Sequence, residues 1–74
     1  MKIKVKLFST LQTGRFAIKE IEYPADSPVK NVCSELGIST EQTLITIVNN
    51  RHVGLDFKLS ENDTLAIFLA VGGG

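Results

Sequence analysis

Apolar and polar residues alternate from the second position onward. In KIKVKLF, Ile3, Val5 and Leu7 recur at every second place opposite Lys2, Lys4 and Lys6. That period predicts a strand with one buried and one wet face. STLQTGR breaks the pattern and reads as a loop, with Gly14 available for a positive φ. A second strand fits FAIKEIEY, although Phe16 and Ile18 share one parity and Ile21 and Tyr23 the other. Such a shift predicts a bulge or a late strand start, and two neighbouring strands across one loop predict a hairpin.

In ADSPVKNVCSELGI the apolar period lengthens to that of a helix. Val29, Val32, Cys33 and Leu36 fall at i, i+3, i+4 and i+7, one stripe to lay on a sheet. Ser27 is placed as the N-cap, Pro28 as the first helical residue and Gly37 just past the end. Ile38 then folds back on the last turn. TLITIVNN predicts a third, largely buried strand, ended by Asn49-Asn50, a pair that tolerates the left-handed region. RHVGLD follows as a short strand or bend punctuated by Gly54, and LSENDT as a turn with Asn62 left-handed. The last strand, TLAIFLAV, puts Leu65, Ile67 and Leu69 on one face and Ala66, Phe68 and Ala70 on the other. Strands, one helix and more strands make an α+β class, with the helix packed on one sheet face.

Gly72-Gly73-Gly74 follows that strand. Glycine loses more backbone entropy on ordering than any other residue, so this segment adds nothing to the stability of a fold. The expected division is a folded domain over 1–71 and a flexible glycine tail over 72–74.

Composition narrows the function. The 74 residues suit one domain, and an apolar share of 43% supplies one small core. Eight basic and eight acidic side chains cancel, which argues against nucleic acid as a partner, since phosphate binding leans on a basic surface. No apolar run approaches the length that spans a membrane, and the lysine-studded start is unlike a signal peptide. The expected setting is the cytoplasm.

Few residues suggest catalysis. Cys33 is the one cysteine and lies on the apolar stripe, so it reads as a buried small hydrophobe. A metal site is not expected. His52 has no acid or base partner nearby in sequence and reads as a solvated turn residue. The chain is therefore not expected to be an enzyme. Lys2, Lys4 and Lys6 are either a solvated face or a docking stripe. Phe68, flanked by Ala66 and Ala70 on the outer face, either anchors a protein interface or is covered by the domain's own loops.

The strand IKVKLF, the helix SPVKNVCSELGI, the run IVNNRHVGLDFKLSENDTLAIF and the terminal VGGG together resemble the MoaD/ThiS sulfur-carrier family across essentially the whole chain. The most specific parts are the turn at Val48-Asn49, the segment from Leu59 to Asp63 and the glycine end. The resemblance implies a ubiquitin-like β-grasp fold: a mixed sheet of four to five strands on one main helix, with first and last strands parallel at its centre. It also implies a mechanism. A partner adenylating enzyme, using ATP and magnesium, activates the Gly74 carboxylate as an acyl-adenylate. Sulfur from a persulfide donor then replaces AMP and leaves a thiocarboxylate. Gly72 and Gly73 thread the partner's active site, while Phe68 and Val71 meet its surface.

The chemistry of the terminus fits that scheme. A terminal carboxylate with a pKa of roughly 3.5 is ionised at neutral pH and is a poor electrophile, so it needs a leaving group supplied from outside. Within the family, the long excursion STLQTGRFAIKEIEY and the segment RHVGLDFKL resemble the molybdopterin-synthase small subunit, whose acceptor is that enzyme's large subunit. Leu69-Ala70 departs from that branch, where two prolines often precede the valine, and Asn62 stands where glycine is common. The alternatives are a thiamine-type carrier, a ubiquitin-like modifier joined to proteins through Gly74, and a β-grasp interaction module that is never activated.

Overall fold

The computed structural model describes residues 1–70. Val71 and the three glycines, and with them the expected boundary at residue 71, lie outside the described residues. Five strands, β1 (Lys2–Leu7), β2 (Ile18–Glu22), β3 (Leu44–Val48), β4 (Arg51–His52) and β5 (Thr64–Leu69), form one sheet in the order β2-β1-β5-β3-β4. β1 runs parallel to β5, and the other pairs are antiparallel. One helix, α1 (Val29–Glu35), connects the first hairpin to the second half of the sheet. This is the mixed sheet and single helix expected of a ubiquitin-like β-grasp chain.

The alternation in β1 translates directly into burial. Ile3, Val5 and Leu7 are buried with Leu65 and Ile67 of β5 and Val48 of β3, and Val29, Val32 and Cys33 complete the same core from α1. Lys2 and Lys4 face solvent directly opposite Glu22 and Glu20 of β2. Opposite charges at facing positions support the hairpin and leave no bare cationic stripe.

β2 starts late, at Ile18. Phe16 stays outside the strand, half-buried, with the Lys19 ammonium 5.8 Å from its ring centre. Ile21 and Tyr23 point inward while Ile18 stands 60% exposed on the outer face. The parity shift in the sequence thus marks a strand boundary. STLQTGR holds more structure than a loop: Ser9–Gln12 is a 3₁₀ turn that buries Leu11. β3 is less buried than its composition suggests. Thr46 and Val48 face the core, whereas Ile45 and Ile47 lie half-buried on the outer face. Thr46 is accommodated because its hydroxyl donates to the Val53 carbonyl.

The helix begins one residue later than expected. Pro28 is the N-cap, with φ −77° and ψ 158°, held extended by a bridge to Lys58. Ser27 does not cap; its hydroxyl donates to the Pro24 carbonyl at 2.7 Å. The first free amides of α1 are met instead by chain from the far side of the molecule: Val29 N–H donates to the Phe57 carbonyl and Lys30 N–H to that of Leu55. At the other end Gly37 adopts φ +74°, its N–H donates to the Ser34 carbonyl, and the Ile38 N–H donates to that of Cys33. This is the paired hydrogen bonding of a Schellman ending. Arg15 adds a clamp that nothing local in the sequence signals. Its guanidinium donates to the carbonyls of Leu11, Leu36 and Gly37, joining the 3₁₀ turn to the negative end of α1. Leu36, the last residue of the expected stripe, is only half-buried, so its truncation costs less than that of a full core residue.

Two turns are tied together where β5 begins. Asn49 and Asn50 have φ of 50° and 70°, as a two-residue hairpin requires. The Asn49 amide nitrogen donates to Asp63 Oδ1 at 2.8 Å, and its Oδ1 accepts from the Thr64 N–H at 2.9 Å. The other Asp63 oxygen accepts from the Ser60 N–H at 2.8 Å. Asp63 is 9% exposed, so removing its carboxylate strands donors out of reach of bulk water. Asp63→Ala is therefore expected to lower stability by about 1–3 kcal/mol in urea unfolding.

Tyr23 gives a pH dependence. Its side chain is buried beside the Glu35 carboxylate, and the phenolic oxygen makes no well-formed hydrogen bond among the described residues. Burial first, and the neighbouring carboxylate second, push its pKa from 10.0 up to about 12. A folded-state pKa raised above the unfolded value means that the neutral phenol is favoured in the fold. Its contribution is intact below pH 10 and declines as pH rises through about 12. Phenolate absorbance is expected to titrate near the higher value in the native protein and near the lower one in urea.

Candidate functional site

β5 is the strand that leads toward the glycines, and its neighbours fix it on both sides. Leu65 and Ile67 pair with Val5 and Leu7 of β1, and the same two residues pair with Val48 and Thr46 of β3. Beyond the strand, the Ala70 N–H donates to the Thr43 carbonyl at 2.9 Å. The backbone is thus held by regular hydrogen bonds up to the residue before Val71. In the sequence Val71, Gly72, Gly73 and Gly74 follow, and they lie outside the described residues.

Phe68 lies on the outer face, as alternation predicts, but it is neither isolated nor fully exposed. Its ring stacks on Phe8, with centroids 4.1 Å apart and planes within 8°. Ile45 of β3 is directly opposite Phe68, and Ile47 is opposite Ala66. These residues are half-buried, so they form an apolar surface on the open side of the sheet, beside the way to the tail. A stacked pair of rings is held in one orientation before any partner arrives, which lowers the ordering cost of contact.

Phe8 was not among the expected interface residues, although its position is legible once the register is known. Leu7 pairs with Ile67 in the parallel ladder, and one further step along both strands sets Phe8 against Phe68. Without the parallel pairing, the sequence contains two aromatics sixty positions apart and no reason to join them.

The remaining candidates stay apart. Cys33 is fully buried, and burial raises its thiol pKa, away from the thiolate needed for reactivity. His52 is exposed on the short β4, opposite Ile47. Among the described residues, no group of three or more His, Cys, Asp or Glu could hold a metal ion. No helix among them is long and apolar enough to cross a membrane.

Residues 5–74 match the model of the ThiS family, which covers the tail as well as the body. The chain belongs to the ThiS family. Within the ThiS/MoaD group of ubiquitin-like β-grasp proteins, this ThiS-family chain is 32% identical to the sulfur carrier protein TtuB of Thermus thermophilus over 56 residues, 76% of this chain and 85% of that protein. Its fold is similar to that of a Pyrococcus furiosus protein described as molybdopterin converting factor subunit 1. The TM-score is 0.77 at 24% identity, covering 96% of this chain and 99% of the other. It is also similar to small archaeal modifier protein SAMP1 of Haloferax volcanii, with a TM-score of 0.76 at 19% identity and full coverage of both chains. The family, the sulfur-carrier relative and the β-grasp body agree on a small carrier-type protein.

Proposed function

We propose that this ThiS-family chain carries sulfur as a thiocarboxylate at Gly74 and delivers it in molybdopterin biosynthesis. The observation that carries the reading is the anchored central strand. β5 is paired with β1 as far as Ile67 and held on the β3 side up to Ala70, beside a preformed apolar surface, and the sequence continues into Val71-Gly72-Gly73-Gly74. A fixed body with a thin terminus suits a substrate that an enzyme must hold by one part and react at another.

In this reading the Gly74 carboxylate attacks the α-phosphate of ATP on a partner enzyme that supplies magnesium, and pyrophosphate leaves. The terminal sulfur of a persulfide on the donor attacks the acyl carbon and expels AMP. Attack by a second thiol on the resulting acyl disulfide releases the thiocarboxylate and leaves a disulfide on the donor. Gly72 and Gly73, without Cβ atoms, pass through a narrow channel to the nucleotide. Phe68, stacked on Phe8, and Val71 next to the tail meet the partner's surface.

The excursion between β1 and β2, with its 3₁₀ turn and buried Leu11, supports the molybdopterin branch. Reconstitution separates the branches. The thiocarboxylated chain is expected to transfer sulfur with a molybdopterin-synthase large subunit and not with a thiazole synthase; the opposite result assigns it to the thiamine branch. Phe68→Ala is expected to raise the activating enzyme's KM for the carrier by about tenfold or more, the loss typical of an aromatic anchor. Its cost to the fold is smaller, with the stack itself contributing about 0.5–1.5 kcal/mol. An unchanged KM removes Phe68 from the interface.

A further inference from the structure

A concave surface lies at the edge of the sheet, beside the short β4. Val48, Arg51, His52, Val53, Gly54 and Phe57 line a pocket of about 330 Å³ beside the β3–β4 hairpin. Its walls are fixed. Asn49 and Asn50 set the hairpin, Val53 N–H donates to the Thr46 carbonyl, and the carbonyls of Leu55 and Phe57 accept from the first turn of α1. Phe57 is nevertheless 41% exposed, one of two large apolar side chains that open to solvent among the described residues.

Charge makes the pocket selective. Arg51 has no ion pair and no side-chain hydrogen bond among the described residues. The acid nearest in sequence to Phe57, Asp56, is engaged with Lys30 at 2.9 Å. An exposed aromatic ring, aliphatic walls and an uncommitted guanidinium suit one apolar side chain flanked by carboxylates, which arginine binds in bidentate fashion.

The pocket also has its own orientation. Arg51 pairs with Val48, whose side chain faces the core, so Arg51 lies on the helix side of the sheet edge. The Phe8–Phe68 surface is on the opposite face. Val48 in turn pairs with Leu65, four residues before the end of β5 at Leu69, or roughly 13 Å along the strand. A partner that contacts Arg51 reaches it from the helix side of the sheet edge.

We propose that this pocket docks an acidic segment of a partner protein, with one aromatic or aliphatic side chain packed on Phe57 and its flanking carboxylates on Arg51. The interaction is independent of sulfur chemistry. It is tested by titrating the full ¹⁵N-labelled chain with the peptide Ac-Asp-Glu-Phe-Glu-Asp-NH₂ and, in parallel, with Ac-Lys-Lys-Phe-Lys-Lys-NH₂. The acidic peptide is expected to shift the amides of residues 51–57 saturably, with a Kd on the order of 1 mM or tighter, and the basic one to leave them unmoved. Arg51→Glu and Phe57→Ala each weaken the acidic peptide by about tenfold or more, the loss expected for a charge-assisted contact or a packed ring. Both positions are exposed, and the amide spectrum reports whether each variant is folded. Shifts centred on Phe8, Ile45 and Phe68, equal responses to the two peptides, no saturable shift, or unchanged binding by a folded Arg51→Glu variant would each overturn the proposal.

Discussion

Removing Gly73 and Gly74 is expected to abolish activation while leaving the unfolding curve where it was. The truncated chain still ends in a glycine carboxylate, so the reacting group is chemically the same. It is displaced by two residues, up to about 7 Å of extended chain. A misplacement of about 1 Å at a reacting centre already costs on the order of 10²-fold. ATP–pyrophosphate exchange with the activating enzyme is therefore expected to fall by at least that factor. Stability is unaffected in this account because the core and the described hydrogen bonds of β5 lie at or before Ala70. A truncated chain activated as well as the full one would mean that the body, and not the reach of the tail, governs the reaction. A large loss of stability would mean that the glycines belong to the fold.

Ile67→Ala is expected to have the opposite effect, destabilising the fold without touching the reacting group. Ile67 is fully buried, sits on the central strand and pairs with Leu7 on one side and Thr46 on the other. Truncating such a residue removes its transfer free energy and leaves a cavity bounded by two neighbouring strands, about 2–5 kcal/mol in all. A domain of this length has a total stability of about 4–11 kcal/mol. The variant is thus expected to show a markedly lower urea midpoint, and at the upper end of that range to be unfolded without denaturant. Leu69, two residues on, is half-buried, and Leu69→Ala is expected to cost less. Equal effects at the two positions would contradict the burial gradient along β5.

The parts of this fold that repeat at a short period are the parts the sequence makes legible. Ile3, Val5 and Leu7 in β1, and Leu65 and Ile67 in β5, alternate as a one-sided sheet must, and they are buried. Gly37, Asn49, Asn50 and Asn62 take the positive φ their residue types favour. What the pattern misses depends on partners distant in the chain. Ser27 is a good N-cap by type, but the carbonyls of Phe57 and Leu55 meet the helix amides and Pro28 is bridged to Lys58. Ile45 and Ile47 look like core by composition, yet they share the outer face with Phe68 and Ala66.

The candidate site divides in the same way. The terminal glycines and Phe68 stand out in the sequence because their residue types are odd for their places. Phe8 does not, since only the parallel β1–β5 register brings it to Phe68. Asn49 and Asp63 are recognisable as parts of a resemblance, and the hydrogen bonds between them give the physical reason: they lock the turn from which β5 starts. The pocket around Arg51 and Phe57 has no local signature at all, because it is assembled from a hairpin and a segment pinned to the helix.

The central claim is that the Gly74 carboxylate is the group that reacts. The most direct measurement is the intact mass of the chain after incubation with its activating enzyme, ATP, magnesium and a persulfide donor, followed by fragmentation of the C-terminus. The account predicts a mass gain equal to one oxygen replaced by one sulfur, located on Gly74 and lost when ATP is omitted. An unchanged mass under conditions where the enzyme activates another carrier, or sulfur located on Cys33, would contradict it.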